Sequence, residues 1–97
     1  MHDPTLYIAN PDVSCREEGP DGALLFNPDT DQVAVINPTG LLIWQILADP
    51  HTQSEVAAAL AERCNNVPED QILQDVGEFL EQMVARGFVG LYQGVVA

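Results

Sequence analysis

Apolar and polar positions follow two different periods along the chain. In the first third they form short runs broken by turn residues. Residues 13–18, 23–26 and 32–37 are three such runs. The first break is Gly19, Pro20, Asp21 and Gly22, and the second is Asn27, Pro28, Asp29, Thr30 and Asp31. Glycine, proline and the Asn/Asp pair serve turns by supplying unusual φ values or local side-chain hydrogen bonds. Three short strands with two turns read as an antiparallel meander. Ahead of them, Pro4 and Pro11 flank Leu6, Tyr7, Ile8 and Ala9, which reads as an extended arm laid on the body of the domain.

After Asn37 the period becomes helical. Asn37 is a good N-cap and Pro38 suits a first turn. Residues 41–48 are apolar nearly all round, which predicts a buried helix ended by Asp49 and Pro50. Thr52, Gln53, Ser54 and Glu55 have the spacing of a capping box, and the helix they open carries Val56, Leu60 and Cys64 on one stripe. Pro68 opens a third helix. Ile72, Leu73, Val76, Phe79, Leu80, Met83 and Val84 recur in it at three- and four-residue steps. Glu69 and Asp70 suit its positive end, Arg86 suits the other, and Gly87 suits the residue just past it. Phe88 and Val89 continue in extended form. The expected fold is α+β and winged-helix-like, a three-stranded antiparallel sheet followed by a three-helix bundle in the order β-β-β-α-α-α. Residues 1–12 are the arm, 13–89 the domain and 90–97 a glycine-broken apolar tail.

Charge narrows the uses of this fold. The chain has 97 residues, 15 acidic side chains, three arginines and no lysine, for a net charge of −12. Residues 1–37 and 38–97 each carry half of that excess, so the acidity belongs to a surface rather than to a tail. With 46% apolar residues, a folded domain is expected rather than an acidic disordered chain. The third helix would be the DNA-recognition helix of a winged helix. It carries Glu69, Asp70, Asp75, Glu78 and Glu81 against Arg86, and would repel phosphates. Nucleic acid and anionic membrane are therefore excluded as partners. No apolar stretch has the ~18 residues of a membrane span, and no secretory signal opens the chain. A soluble cytoplasmic protein is expected, with Cys15 and Cys64 reduced.

Catalytic chemistry is not visible. His2 and His51 lie in no motif with a nucleophile. No CxxC, HExxH or phosphate-binding glycine loop occurs. Asp29, Thr30 and Asp31 match the start of a calcium loop, but its sixth and twelfth positions are Ala34 and Gly40. No enzyme activity, metal or cofactor is expected. What remains is peptide or protein binding. If the third strand lies at the sheet edge, its unpaired N–H and C=O groups would accept another chain as an extra strand, with the third helix as the second wall of a groove.

Several stretches resemble one known family. The run from Asn37 through Thr39, Gly40, Ile43 and Trp44 to Leu47 is similar to the Asn-x-Thr-Gly…Ile-Trp signature of the PqqD-like proteins. These are small peptide chaperones also called RiPP recognition elements. Thr52 with Glu55 and Val56, Asp75 and Val76 with Phe79 and Leu80, and Arg86 to Val89 fit the same pattern, as do Arg16 and Leu24–Phe26 upstream. The resemblance covers about residues 13–89, and resembles the lasso-peptide members at least as closely as those of pyrroloquinoline quinone biosynthesis. It departs where the family often has an aromatic residue in the third strand and this chain has Val33, Ala34 and Val35.

The resemblance implies that the domain binds the leader of a ribosomally made precursor peptide by strand addition. It would present that precursor to a radical SAM enzyme or to a leader protease and cyclase. On that basis the expected peptide-binding residues are Gln32, Val33, Ala34, Val35 and Ile36 on the third strand, and Leu73, Val76, Gly77, Leu80 and Val84 on the third helix. Val76 and Leu80 read equally well as core, where Trp44, Leu47, Phe79 and Met83 are placed outright. Asp75 is either a receptor for a positive leader residue or a solvated acid. An unpaired strand edge also leaves a homodimer open. The alternative function is a winged-helix adaptor between proteins, outside any peptide pathway.

Overall fold

A computed structural model describes residues 5–63 and 67–92. The meander is present with boundaries close to those expected. Strands β2 (Ser14–Glu17), β3 (Ala23–Asn27) and β4 (Gln32–Ile36) form one antiparallel sheet in the order β2-β3-β4. β3 pairs with β4 in unbroken register from Ala23 opposite Ile36 to Asn27 opposite Gln32. A 3₁₀ turn, Gly19–Asp21, joins β2 to β3. It closes on Gly22, whose φ of 111° and proximity to the Ile36 carbonyl oxygen leave no room for a side chain. At the other turn, the Asn27 side chain accepts the Asp29 N–H at 3.0 Å. Asp31 sits there at φ 58°.

Helices α1 (Pro38–Ile46), α2 (Gln53–Ala61) and α3 (Glu69–Ala85) follow. Asn37 caps α1, its side chain accepting the Gly40 N–H at 2.7 Å. The capping box of α2 is complete: Thr52 Oγ1 accepts the Glu55 N–H, and Glu55 accepts the Thr52 N–H. α3 ends in a Schellman turn, with Phe88 N–H donating to Met83 O at 2.9 Å and Gly87 N–H to Val84 O at 3.2 Å. Gly87 takes φ 81°, and its carbonyl accepts from both Asn10 and Asn27 at 3.0 Å. This turn drives Phe88 into the core, where it is fully buried.

The core lies between the inner face of the sheet and the three helices. Leu25, Leu47, Val56, Val76, Leu80 and Phe88 are its largest fully enclosed side chains. Ala34 and Ile36 of β4 point into it, whereas Val33 and Val35 are 52% and 79% exposed. That is the alternation a half-buried strand requires. The chain ends add an element not read from the sequence. β1 (Leu6–Ala9) pairs antiparallel with β5 (Val89–Tyr92), from Leu6 opposite Tyr92 to Ala9 opposite Val89. Tyr7 exchanges two backbone hydrogen bonds with His51, and Ala9 N–H donates to Leu47 O. The expected arm thus docks between β5 and the α1–α2 connection. Cys64, expected on the α2 stripe, lies outside the described residues.

Candidate functional site

β4 is the last strand of its sheet and, among the described residues, pairs only with β3. In an antiparallel strand the N–H and C=O of one residue point to the same side, and successive residues alternate. Arg86 Nη2 donates to Val33 O at 2.9 Å from outside the sheet. Val33, and by alternation Val35, therefore turn their backbone groups to the open side. Gln32, Ala34 and Ile36 turn theirs to β3. Of the five strand residues expected to meet a peptide, two turn to the open edge, Val33 with its carbonyl taken by Arg86, and three are committed to the sheet.

α3 runs antiparallel to this edge. Its Phe79 lies beside Gly40, which in turn abuts Ile36, so Phe79 marks the Ile36 end of β4. Arg86 marks the other end, with Nε donating to Gln32 Oε1 at 3.3 Å. The seven residue steps from Phe79 to Arg86 rise about 10 Å, close to the length of β4. α3 packs chiefly on α2 and β5, and we call the strip of surface between it and β4, bounded by Phe79 and Arg86, the trough. At the Ile36 end the trough opens into a cleft of about 300 Å³, mainly apolar. It lies among the helices, lined by Asn37, Gly40 and Ile43 at α1, Leu60 of α2, Val67, and Ile72, Asp75, Val76 and Phe79 of α3. Asp75 is held there by Gln71, whose Nε2 donates to Oδ1 at 2.9 Å. The guanidinium of Arg86 also sits 5.3 Å from the centroid of the Phe88 ring, a cation–π distance.

The expected α3 residues divide between the core and two sides of the helix. Val76 and Leu80 are 0% and 1% exposed and belong to the core, Val76 at the inner wall of the cleft. Leu73 is exposed in a shallow depression against α2, beside Ala57, Ala58 and Ala61. Gly77 lies under the Gln53 side chain; a Cβ there would come 2.6 Å from Gln53 Nε2. Val84 turns toward Tyr7 and Leu91 of the β1/β5 ribbon. The reason is geometric. The apolar stripe of an amphipathic helix has two borders. Leu73, Gly77 and Val84 lie on one, while Asp75, Phe79, Gln82 and Arg86 lie on the other at i, i+4, i+7 and i+11. Only the second border faces β4. Phe79, expected wholly in the core, is half-buried at the wall of the cleft. The signal for this border was in the sequence, as an aromatic, an acid and an arginine on one helical line, but nothing local said which border meets the sheet.

A solvent-facing apolar patch adjoins the edge. Phe26 stands opposite Val33 and Leu24 opposite Val35 on the outer face of the sheet. Among the described residues no cluster of His, Cys, Asp and Glu could hold a metal, and no helix is long and apolar enough to cross a membrane.

The family model for coenzyme PQQ synthesis protein D (PqqD) matches residues 22–89, well over half of the chain. The chain belongs to the PqqD family. The match runs from the start of β3 to the start of β5 and so contains both walls of the trough. Three solved structures share the fold of this PqqD-family chain. TbiB1, solved in complex with the TbiA(beta) leader peptide, has 17% identity and a TM-score of 0.76, over 90% of this chain and 99% of that one. A lasso peptide synthetase B1, complexed with its leader peptide, has 20% identity and a TM-score of 0.71, over 87% and 96%. The PqqD truncation of Methylobacterium extorquens PqqCD, described as a stand-alone RiPP recognition element, has 13% identity and a TM-score of 0.70, over 88% of each chain. The search of curated proteins gives no match.

Proposed function

We propose that this PqqD-family chain is a non-catalytic peptide chaperone that binds the leader of a ribosomally made precursor. The leader adds as an antiparallel strand to β4. The observation that carries this reading is the open β4 edge, with Val33 and Val35 aimed outward beside a trough walled by Asp75, Phe79 and Arg86. Main-chain hydrogen bonds at Val33 and Val35 supply affinity of about 0.5–1.5 kcal/mol each. An apolar leader side chain in the cleft adds burial at roughly 25 cal/mol per Å². Two of the solved relatives, TbiB1 and the lasso peptide synthetase B1, were determined with leader peptides bound, which supports the same use of the shared fold. The binding unit is residues 13–89, buttressed by the β1/β5 ribbon. It hands the bound precursor to a modifying enzyme in the cytoplasm, either a radical SAM enzyme or a leader protease with its cyclase.

The test is titration of the ¹⁵N-labelled chain with synthetic leader peptides of ribosomally made precursors. The expected result is amide shifts concentrated at Val33, Val35, Phe79 and Arg86. Val35→Pro should weaken binding at least tenfold. It removes an outward N–H while sparing the β3 ladder, because proline is tolerated on the open side of an edge strand. Saturation by the leader with those amides unmoved would overturn the proposal.

A further inference from the structure

We infer that Arg86 selects the incoming strand, by taking an acidic side chain at the Gln32–Val33 end of β4 and so fixing the register of the added peptide. The inference rests on the strand-addition reading and goes beyond it by assigning the peptide a charge at one place. The chain has three cations, all arginines. Arg16 stands on β2, two strands away, 4.0 Å from Glu18. Arg63 follows α2, and no hydrogen bond joins it to β4 among the described residues. Arg86 alone reaches the β4 edge, and it is held there by two neutral acceptors, Gln32 Oε1 and the Val33 carbonyl. In a chain with 15 acids, no carboxylate among the described residues lies within ion-pair distance of it.

The bond to Val33 is what ties this charge to recognition. Val33 O is an acceptor that an added strand would use, and Arg86 now occupies it. A strand that pairs there takes a share of that carbonyl, and the guanidinium needs another acceptor. A carboxylate on the incoming strand meets the need with two parallel N–H···O bonds, which are charge-assisted and stronger than the neutral contacts they replace. A peptide without one leaves the exposed guanidinium to water and gains no charge-assisted pair at the rim.

The direction of the chain elements sets where that acid falls. An added strand antiparallel to β4 runs from the cleft at Phe79 toward Arg86. The acid therefore lies C-terminal to the apolar residue in the cleft, separated by the five residues of β4, or about four to six positions. The net charge of −12 favours basic peptides at long range, but that field is screened beyond about 8–10 Å. A contact at hydrogen-bond distance overrides it at this one position.

The experiment pans random twelve-residue peptides, displayed on phage, against the full chain and its Arg86→Gln and Arg86→Glu variants. Arg86 is exposed at the end of α3, so both variants should fold, which ¹⁵N spectra check before panning. Peptides selected by the native chain should carry Asp or Glu at a fixed offset after an apolar residue. Arg86→Gln should lose that acid while keeping the apolar position, and Arg86→Glu should replace it with Lys or Arg. Changing the acid to its amide in the best peptide should cost about tenfold on the native chain, the size of one charge-assisted pair, and under twofold on Arg86→Gln. Selection of the same acid by Arg86→Gln, or of no acid by the native chain, overturns the inference and leaves strand addition standing. Selected peptides whose binding survives Val35→Pro, or no selection at all, overturn the strand-addition reading and this inference with it.

Discussion

Single residues divide into those that hold the trough open and those that only border it. Gly87 belongs to the first group. Its φ of 81° and its contact with Asn27 Nδ2, 3.0 Å from a would-be Cβ, make Gly87→Ala strained twice over. The substitution should cost about 1–2 kcal/mol in urea unfolding, because the left-handed conformation is unfavourable for alanine and the Asn27 amide must shift. Gly77 belongs to neither, since it lies on the far border of α3 under Gln53. Gly77→Ala gains about 1 kcal/mol of helix propensity and displaces the Gln53 amide, whose bond to Leu73 O at 3.0 Å is exposed. The two effects nearly cancel, and leader affinity measured by fluorescence anisotropy should stay within about twofold because Gly77 faces α2. Cys15 is exposed, yet burial of its sulfur and then the nearby Glu17 carboxylate raise its pKa above the ordinary thiol value. The raised pKa keeps the neutral thiol, which is the unreactive form. In a Cys64→Ser background, alkylation by iodoacetamide should be slower than for a free thiol at neutral pH and should accelerate as pH rises. Glu17→Gln should speed it.

At the scale of elements, the trough is made by what α3 does not pack against. α3 meets α2 and β5, and touches β4 through Arg86 at one end, with Phe79 near Ile36 at the other. Phe79 is the wall residue whose removal separates binding from folding. It is half-buried, so Phe79→Ala should cost about 2–3 kcal/mol, below the range for a fully enclosed aromatic. It should weaken leader binding by more than tenfold in a calorimetric titration, because it widens the cleft that receives the apolar anchor. Val76→Ala, fully buried behind the same cleft, should show the opposite balance, with a large stability loss and a smaller change in affinity of the folded fraction.

At the scale of the whole molecule, charge distinguishes this chain from a DNA-binding winged helix. Its net charge of −12 should leave duplex DNA unbound in a gel shift even at low salt. The same field should speed association with a leader of net positive charge. The association rate measured by stopped flow should then fall as salt rises from 50 to 300 mM, while the dissociation rate changes little. A rate insensitive to salt would assign recognition to shape and strand pairing alone.

The sequence by itself determined the three-stranded meander, the three helices and their order. Turn chemistry at Gly19–Gly22 and Asn27–Asp31, the caps at Asn37 and Thr52, and Gly87 at the end of α3 are local rules, written in neighbouring residues. Apolar spacing likewise gave the core of each helix, because burial of one face leaves a period of 3.6. Three decisions belonged to tertiary structure. The pairing of β1 with β5 joins segments some 80 residues apart and has no local signal. The outward turn of Val33 and Val35 follows from which side β3 occupies, not from the strand's own residues. Which border of α3 faces β4 depends on how three helices share one core. That choice put Asp75, Phe79 and Arg86 on the trough and Leu73, Gly77 and Val84 behind it. A helix carries its apolar stripe in its sequence, but the neighbour that meets each edge of the stripe is fixed only when the whole chain has packed.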